Sequence, residues 1–168
     1  RSSAASDVYK RQVTAQPEQA QTAYLRMHVR ANSDAPADQE VKYEVRDAVV
    51  GLLMPVAASC RSREQAMERV EELLPAIEEE AERVLAENGF SYGARAALRR
   101  EEFPTRVYEG VTLEAGVYDA LIVELGEGAG ANWWCVLYPP LCFSGEAVGE
   151  NIVYRSRILE IIRGFFAD

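Results

Sequence analysis

The chain has 168 residues, 27 of them acidic and 18 basic, for a net charge of −9. That length suits one domain able to bury roughly 70% of its unfolded surface without help from disulfides, and the acidic balance repels a phosphate backbone, which argues against nucleic acid or an anionic membrane surface as partner. No run reaches the eighteen or more apolar residues of a membrane span, so no membrane insertion by this segment is expected.

Residues 1–12, RSSAASDVYKRQ, show no hydrophobic periodicity and read as translated adaptor sequence foreign to the rest. Residues 13–23 read as a polar tether. A disordered leader over 1–23 and a single α+β domain over 24–168 are therefore expected.

From Tyr24 to Arg30 apolar and polar residues alternate, with Leu25, Met27 and Val29 on one face and Tyr24, Arg26, His28 and Arg30 on the other. That is the pattern of a half-buried strand, with His28 on its polar side. ANSDAP follows, where Ser33 or Asp34 is placed to cap a helix and Pro36 suits its first turn. Val41, Val45, Ala48, Val49, Leu52 and Leu53 then recur at helical spacing, and Pro55 should end or kink that helix.

Ser62 with Gln65 forms a capping box for a second helix, whose Ala66, Val70, Leu73, Leu74, Ile77, Ala81, Val84 and Leu85 make one apolar stripe. Pro75 should bend or restart it, and Asn88-Gly89 supplies a left-handed stop. The glutamates of the opposite face, among them Glu71, Glu72, Glu79 and Glu82, read as a solvated surface rather than as a metal site or an acidic docking face.

Alternation returns through Ala94 to Phe103, and Val117 to Leu125 is apolar enough for a central strand. Pro104 and Gly110 mark a turn region between them, and Gly116 a bend. Residues 126–143, GEGAGANWWCVLYPPLCF, read as a glycine turn, a short aromatic strand and an exit forced by Pro139 and Pro140. Adjacent strand residues point to opposite faces, so one of Trp133 and Trp134 should anchor the core while the other meets solvent or a partner. From Gly149 to Phe166, Ile152, Leu159, Ile162 and Phe166 suggest a last amphipathic helix. The expected fold is a mostly antiparallel sheet with two long helices packed on one face, plus that C-terminal helix.

Chemistry is sparse. GEGAG lacks the lysine-serine or lysine-threonine ending of a phosphate loop and precedes a strand rather than a helix. His28, the one histidine, invites pairing with Cys135 or Cys142 as base and thiol, but no third orienting group is evident. No paired metal-ligand spacing occurs, and no cofactor is expected. Trp133, Trp134, Tyr138 and Phe143 could also stack on sugars, the basis of an alternative reading as an extracytoplasmic hydrolase or wall-binding module.

Three stretches, YLRMHVRANSDAPADQEVKYEVRDAVV, VTLEAGVYDAL and GEGAGANWWCVLYPPLCF, resemble, in order, the stage II sporulation protein R family of endospore-forming bacteria. The resemblance implies a non-enzymatic signalling protein, made in the forespore and secreted into the space between the forespore and mother-cell membranes. There it would activate a membrane-embedded aspartic protease that processes the precursor of a mother-cell sigma factor. Members of the family normally begin with a hydrophobic segment, which this chain does not contain. The words shared with the family mark Asn32, Ser33, Asp34, Asn132, Trp133, Trp134, Pro139, Pro140 and Phe143 as candidate partner contacts, although Asn32, Ser33 and Asp34 serve equally well as a structural turn. Export would permit a Cys135–Cys142 disulfide, with Cys60 the odd thiol; the competing reading is two small buried hydrophobes.

Overall fold

The computed structural model describes residues 23–108 and 111–140. The strand read from the first alternation forms as β1, Leu25–Arg30, and the two helical stripes form α1, Pro36–Ser59, and α2, Arg63–Glu87. Five further strands follow: β2 (Ala94–Phe103), β3 (Arg106–Tyr108), β4 (Val111–Leu113), β5 (Gly116–Leu125) and β6 (Asn132–Tyr138). The class is α+β. The main sheet has the order β2-β5-β1-β6, and β3 with β4 makes a separate two-stranded sheet.

The main sheet is mixed, with two antiparallel pairings, as expected, and one parallel pairing that was not. β5 pairs antiparallel with β2, and β6 antiparallel with β1, but β1 and β5 run parallel at its centre. Parallel neighbours need a long crossover, and α1, α2 and β2 lie between them in the chain. Local alternation carries no information about the direction of a strand's neighbours. The turn region expected around Pro104 and Gly110 contains the β3–β4 hairpin, which the sequence reading missed because three-residue strands are too short to show a period.

Both helices cover one face of the sheet, as their stripes demand. Leu25, Met27 and Val29 of β1, Leu121, Val123 and Leu125 of β5, and Trp133, Cys135 and Leu137 of β6 share one core with Val41, Val45, Val49 and Leu53 of α1 and Val70, Ile77, Ala81 and Leu85 of α2. Burying each of the larger aliphatic side chains contributes about 1.5–3 kcal/mol. Arg63, in the first turn of α2, ties the helix to the sheet by donating to Asp119 of β5 at 2.6 Å.

Several local expectations are corrected. Neither Ser33 nor Asp34 caps α1: its N-cap is Ala35, with no side-chain cap bond, and Pro36 opens the helix as expected. α1 does not end at Pro55 but runs on to Ser59, and α2 does not restart at Pro75. Each proline forfeits the bond to the residue four before it, and Gly51, Pro55, Glu71 and Pro75 are all exposed, so water satisfies the orphaned carbonyls. The capping box is half right. Ser62 Oγ accepts from the Gln65 amide at 3.0 Å, while Gln65 Oε1 accepts from the Arg61 amide rather than from Ser62. Asn88 ends α2 and Gly89 takes the left-handed conformation at φ +83°.

The expected C-terminal helix and all but Ala23 of the expected leader over 1–23 lie outside the described residues. Among the described residues no helix is long and apolar enough to cross a membrane.

Candidate functional site

The sheet face away from the helices is where polar chemistry collects. β1 is not half-buried: Arg26 and His28, expected on a polar side, are both fully buried, because β1 is a central strand and its second face is covered as well. Phe103 of β2, Tyr118, Ala120 and Ile122 of β5 and Trp134 of β6 form a small aromatic core there. Leu113 of β4 joins Val136 of β6 beside Tyr24, which seats the β3–β4 hairpin over one end of the face.

His28 packs between Trp134 and Phe103, with ring centroids 5.0 and 5.4 Å away. Its Nε2 meets Glu101 Oε2 at 2.8 Å, and its Nδ1 has no hydrogen-bond partner among the described residues. Burial holds the imidazole below its ordinary protonation range, against the opposing pull of Glu101. Glu101 also receives Arg30 at 3.4 Å and Arg99 at 2.8 Å. Its carboxyl is held below the usual range although burial would raise it, since the bonds from His28 and Arg99 outweigh that cost. Glu124, opposite Arg30 and Arg95 in the ladders, collects Arg30, Arg95 and Arg99. Asn132 completes the row by accepting from Arg30 Nε at 3.2 Å. Arg26 lies over the rings of Phe103, at 4.4 Å, and Tyr118, at 4.7 Å.

At the end of the sheet where β1 and β5 both finish, the side chains of Asn32, Ser33 and Asp34 accept from the protein's own backbone amides. Asn32 Oδ1 accepts from the Glu127 amide at 2.9 Å, and Asp34 Oδ1 from the Ala131 amide at 2.8 Å. Gly130 fits against this turn so closely that an added β-carbon would meet the Ser33 backbone carbonyl. The glycine run therefore serves close approach of two loops. Asp38, in the first turn of α1, gathers donors from three places: Asn32 at 2.9 Å, Ser33 at 2.5 Å and Tyr92 at 2.7 Å. Those bonds, Ser33's foremost, hold its carboxyl below the usual range. Tyr92's hydroxyl is pushed up, first by burial and then by Asp38.

The candidate contacts thus fall in different places. Asn32, Ser33 and Asp34 buttress the glycine turn; Trp133 is buried under the helices; Asn132 and Trp134 belong to the helix-free face; Pro139 and Pro140 follow β6; Phe143 lies outside the described residues. The two tryptophans do face opposite ways, Trp133 into the main core and Trp134 against Phe103 and His28. Cys135 points to the helix side and Cys142 lies outside the described residues. Glu101, Glu124, Arg30 and Arg99 were not singled out from sequence, although Arg95, Arg99 and Glu101 sit at even spacing along β2 and hence on one face. Asp38 gave no signal at all, because its donors come from 5 to 54 positions away in the chain. Among the described residues no cluster of His, Cys, Asp or Glu is arranged to hold a metal ion.

A model of the stage II sporulation protein R family matches residues 21–147. The curated stage II sporulation protein R of Bacillus subtilis (strain 168) is 37% identical over 131 residues, covering 76% of this chain and 58% of that relative. The chain thus spans less than two thirds of the relative's length. No solved structure matches.

Proposed function

This chain belongs to the stage II sporulation protein R family, and from that premise we propose that it is a secreted signal of endospore formation. It acts in the space between the forespore and mother-cell membranes, where it binds and activates a membrane-embedded aspartic protease that processes the precursor of a mother-cell sigma factor. The observation that carries this reading is the family match over residues 21–147, which spans every described element of the domain.

Activation by a binding signal is a shift of population: the protease turns on to the extent that the signal binds its active arrangement better than its resting one. The geometry argues against His28 and Cys135 as a base and thiol pair. In the β1–β6 ladder His28 stands opposite Trp134 while Met27 stands opposite Cys135, so the imidazole and the Cys135 sulfur lie on opposite faces of the sheet. The test is co-expression of the exported chain with the protease and its sigma-factor precursor in a host that lacks all three. Processing of the precursor only when the chain is present is expected. A folded, exported chain that leaves the precursor intact overturns the reading.

A further inference from the structure

Cys60 lies where α1 hands over to α2, at the end of the sheet from which β6 departs. α1 begins just past the end of β1 and packs back along it, so its last turn returns to the end where β1 starts. β6 runs antiparallel to β1 and finishes at that same end, with Tyr138 opposite Leu25. Tyr138 packs against the cluster that contains Cys60, and its hydroxyl is pushed up first by burial and then by Cys60 and Glu64. Cys60 itself is buried, its Sγ donating to the Val56 carbonyl at 3.2 Å, and it has no disulfide partner among the described residues.

Pro139 and Pro140 carry the chain off β6, and Cys142, the third cysteine of the sequence, follows two residues later, outside the described residues. The four residues from Tyr138 to Cys142 span at most about 14 Å, and a disulfide needs α-carbons about 4.4–6.8 Å apart. A strand end packed beside Cys60 leaves that bond within reach. Cys135 is placed differently. It is fully buried three residues before the end of β6, on the face covered by the helices, and Leu137, fully buried on the same face, stands between it and the exit. A chain returning to Cys135 would have to enter that packed core, and overfilling a core is costly.

We propose that Cys60 and Cys142 form a disulfide, a covalent staple that ties the segment after β6 to the α1–α2 junction and leaves Cys135 a thiol in the core. The oxidant is a second disulfide, carried by a thiol oxidoreductase or a small thiol compound. Burial pushes the Cys60 thiol up, so Cys142 takes the first step: its thiolate attacks one oxidant sulfur, that S–S bond breaks, and the other oxidant sulfur leaves as thiolate. The Cys60 thiolate then attacks Cys142 in the mixed disulfide, forming the internal bond and expelling the second oxidant sulfur. The two protein thiols give up two protons and two electrons, and the oxidant ends as two thiols. The pairing stands or falls independently of the signalling role, although export would bring the chain to such an oxidant.

The experiment oxidises the whole folded chain with oxidised glutathione, blocks the remaining thiols with N-ethylmaleimide in denaturant, and maps the peptides by mass spectrometry without reduction. A linked Cys60–Cys142 pair is expected, with Cys135 alkylated. Cys135→Ala should keep the bond, whereas Cys60→Ala should lose it and leave Cys142 as a glutathione adduct. The oxidised parent should melt several degrees above the reduced parent, and that gap should vanish in Cys60→Ala. A Cys135–Cys142 or Cys60–Cys135 link, or a folded parent with no internal bond, overturns the pairing. The peptide map is read on the parent chain, so it decides the matter even where a variant fails to fold.

Discussion

His28 and Cys135 are one residue out of register across the β1–β6 ladder, and that single step places them on opposite sides of the sheet. The imidazole looks into the aromatic cluster of Trp134 and Phe103, while the sulfur looks into the core beneath the helices. A base cannot reach a nucleophile through a sheet.

On the proposed signalling role, His28→Gln should therefore leave activation of the protease intact in every molecule that folds. Its cost falls on stability, by about 1–3 kcal/mol, because a buried ring packed against two others is lost and the amide must still meet Glu101. Urea midpoints beside an assay of precursor processing check both halves. A stably folded variant that no longer activates would restore a chemical role for the histidine.

Acid should weaken the fold in two stages. Burial holds His28 below its ordinary value of 6.5, so the unfolded chain takes up a proton before the folded one does. The stability this contributes is complete above 6.5 and is lost as the pH falls toward the folded value. Arg26 and Arg30 on β1, Arg99 on β2 and Arg106 near Trp134 surround the site, against the carboxylates Glu101 and Glu124, so a further positive charge is poorly received. Glu101 and Asp38 are held below 4.5 and 3.8, and their contributions persist above those values and disappear as the pH falls below them. Urea midpoints measured from neutral pH down to about 5 should decline in the parent and stay flatter in His28→Gln. Equal slopes would show that His28 is not the group titrating.

Asp38→Asn should cost about 2 kcal/mol, since one carboxylate accepts from Asn32, Ser33 and Tyr92 and an amide cannot accept from all three. Tyr92→Phe removes one of those bonds and should cost about 1 kcal/mol. Chemical denaturation of the two single variants and the double variant gives their coupling. Strict additivity would mean that Tyr92 and Asp38 do not act through a shared bond.

Gly130→Ala and Gly89→Ala separate close approach from backbone conformation. At Gly130 a methyl group falls on the Ser33 backbone, and moving two pinned loops apart should cost about 2 kcal/mol. At Gly89 nothing lies within 4 Å, so only the left-handed φ of +83° resists, at about 1 kcal/mol. Thermal melts rank the two, and a milder effect at Gly130 would mean that the loops separate easily.

Wherever an element is set by its own residues, the sequence by itself determined it. The stripes of α1 and α2, the stop at Asn88-Gly89, the span of β2 and the opposed tryptophans follow from side-chain period and local backbone preference, and they stand in the structure. The tertiary structure alone decided what depends on neighbours distant in the chain. Only the sheet order shows that β1 is central, which buries Arg26 and His28, expected on the polar side of a half-buried strand. Asn32, Ser33 and Asp34 read as a cap or as a contact until the glycine turn, about a hundred positions later, supplies the amides they bind. The helices continue past Pro55 and Pro75 because the fold turns those residues toward water, and the Glu101 cluster exists because β2, β5 and β1 lie side by side. Periodicity records which way a side chain points along its own strand or helix; what waits on that side is a property of the packed chain.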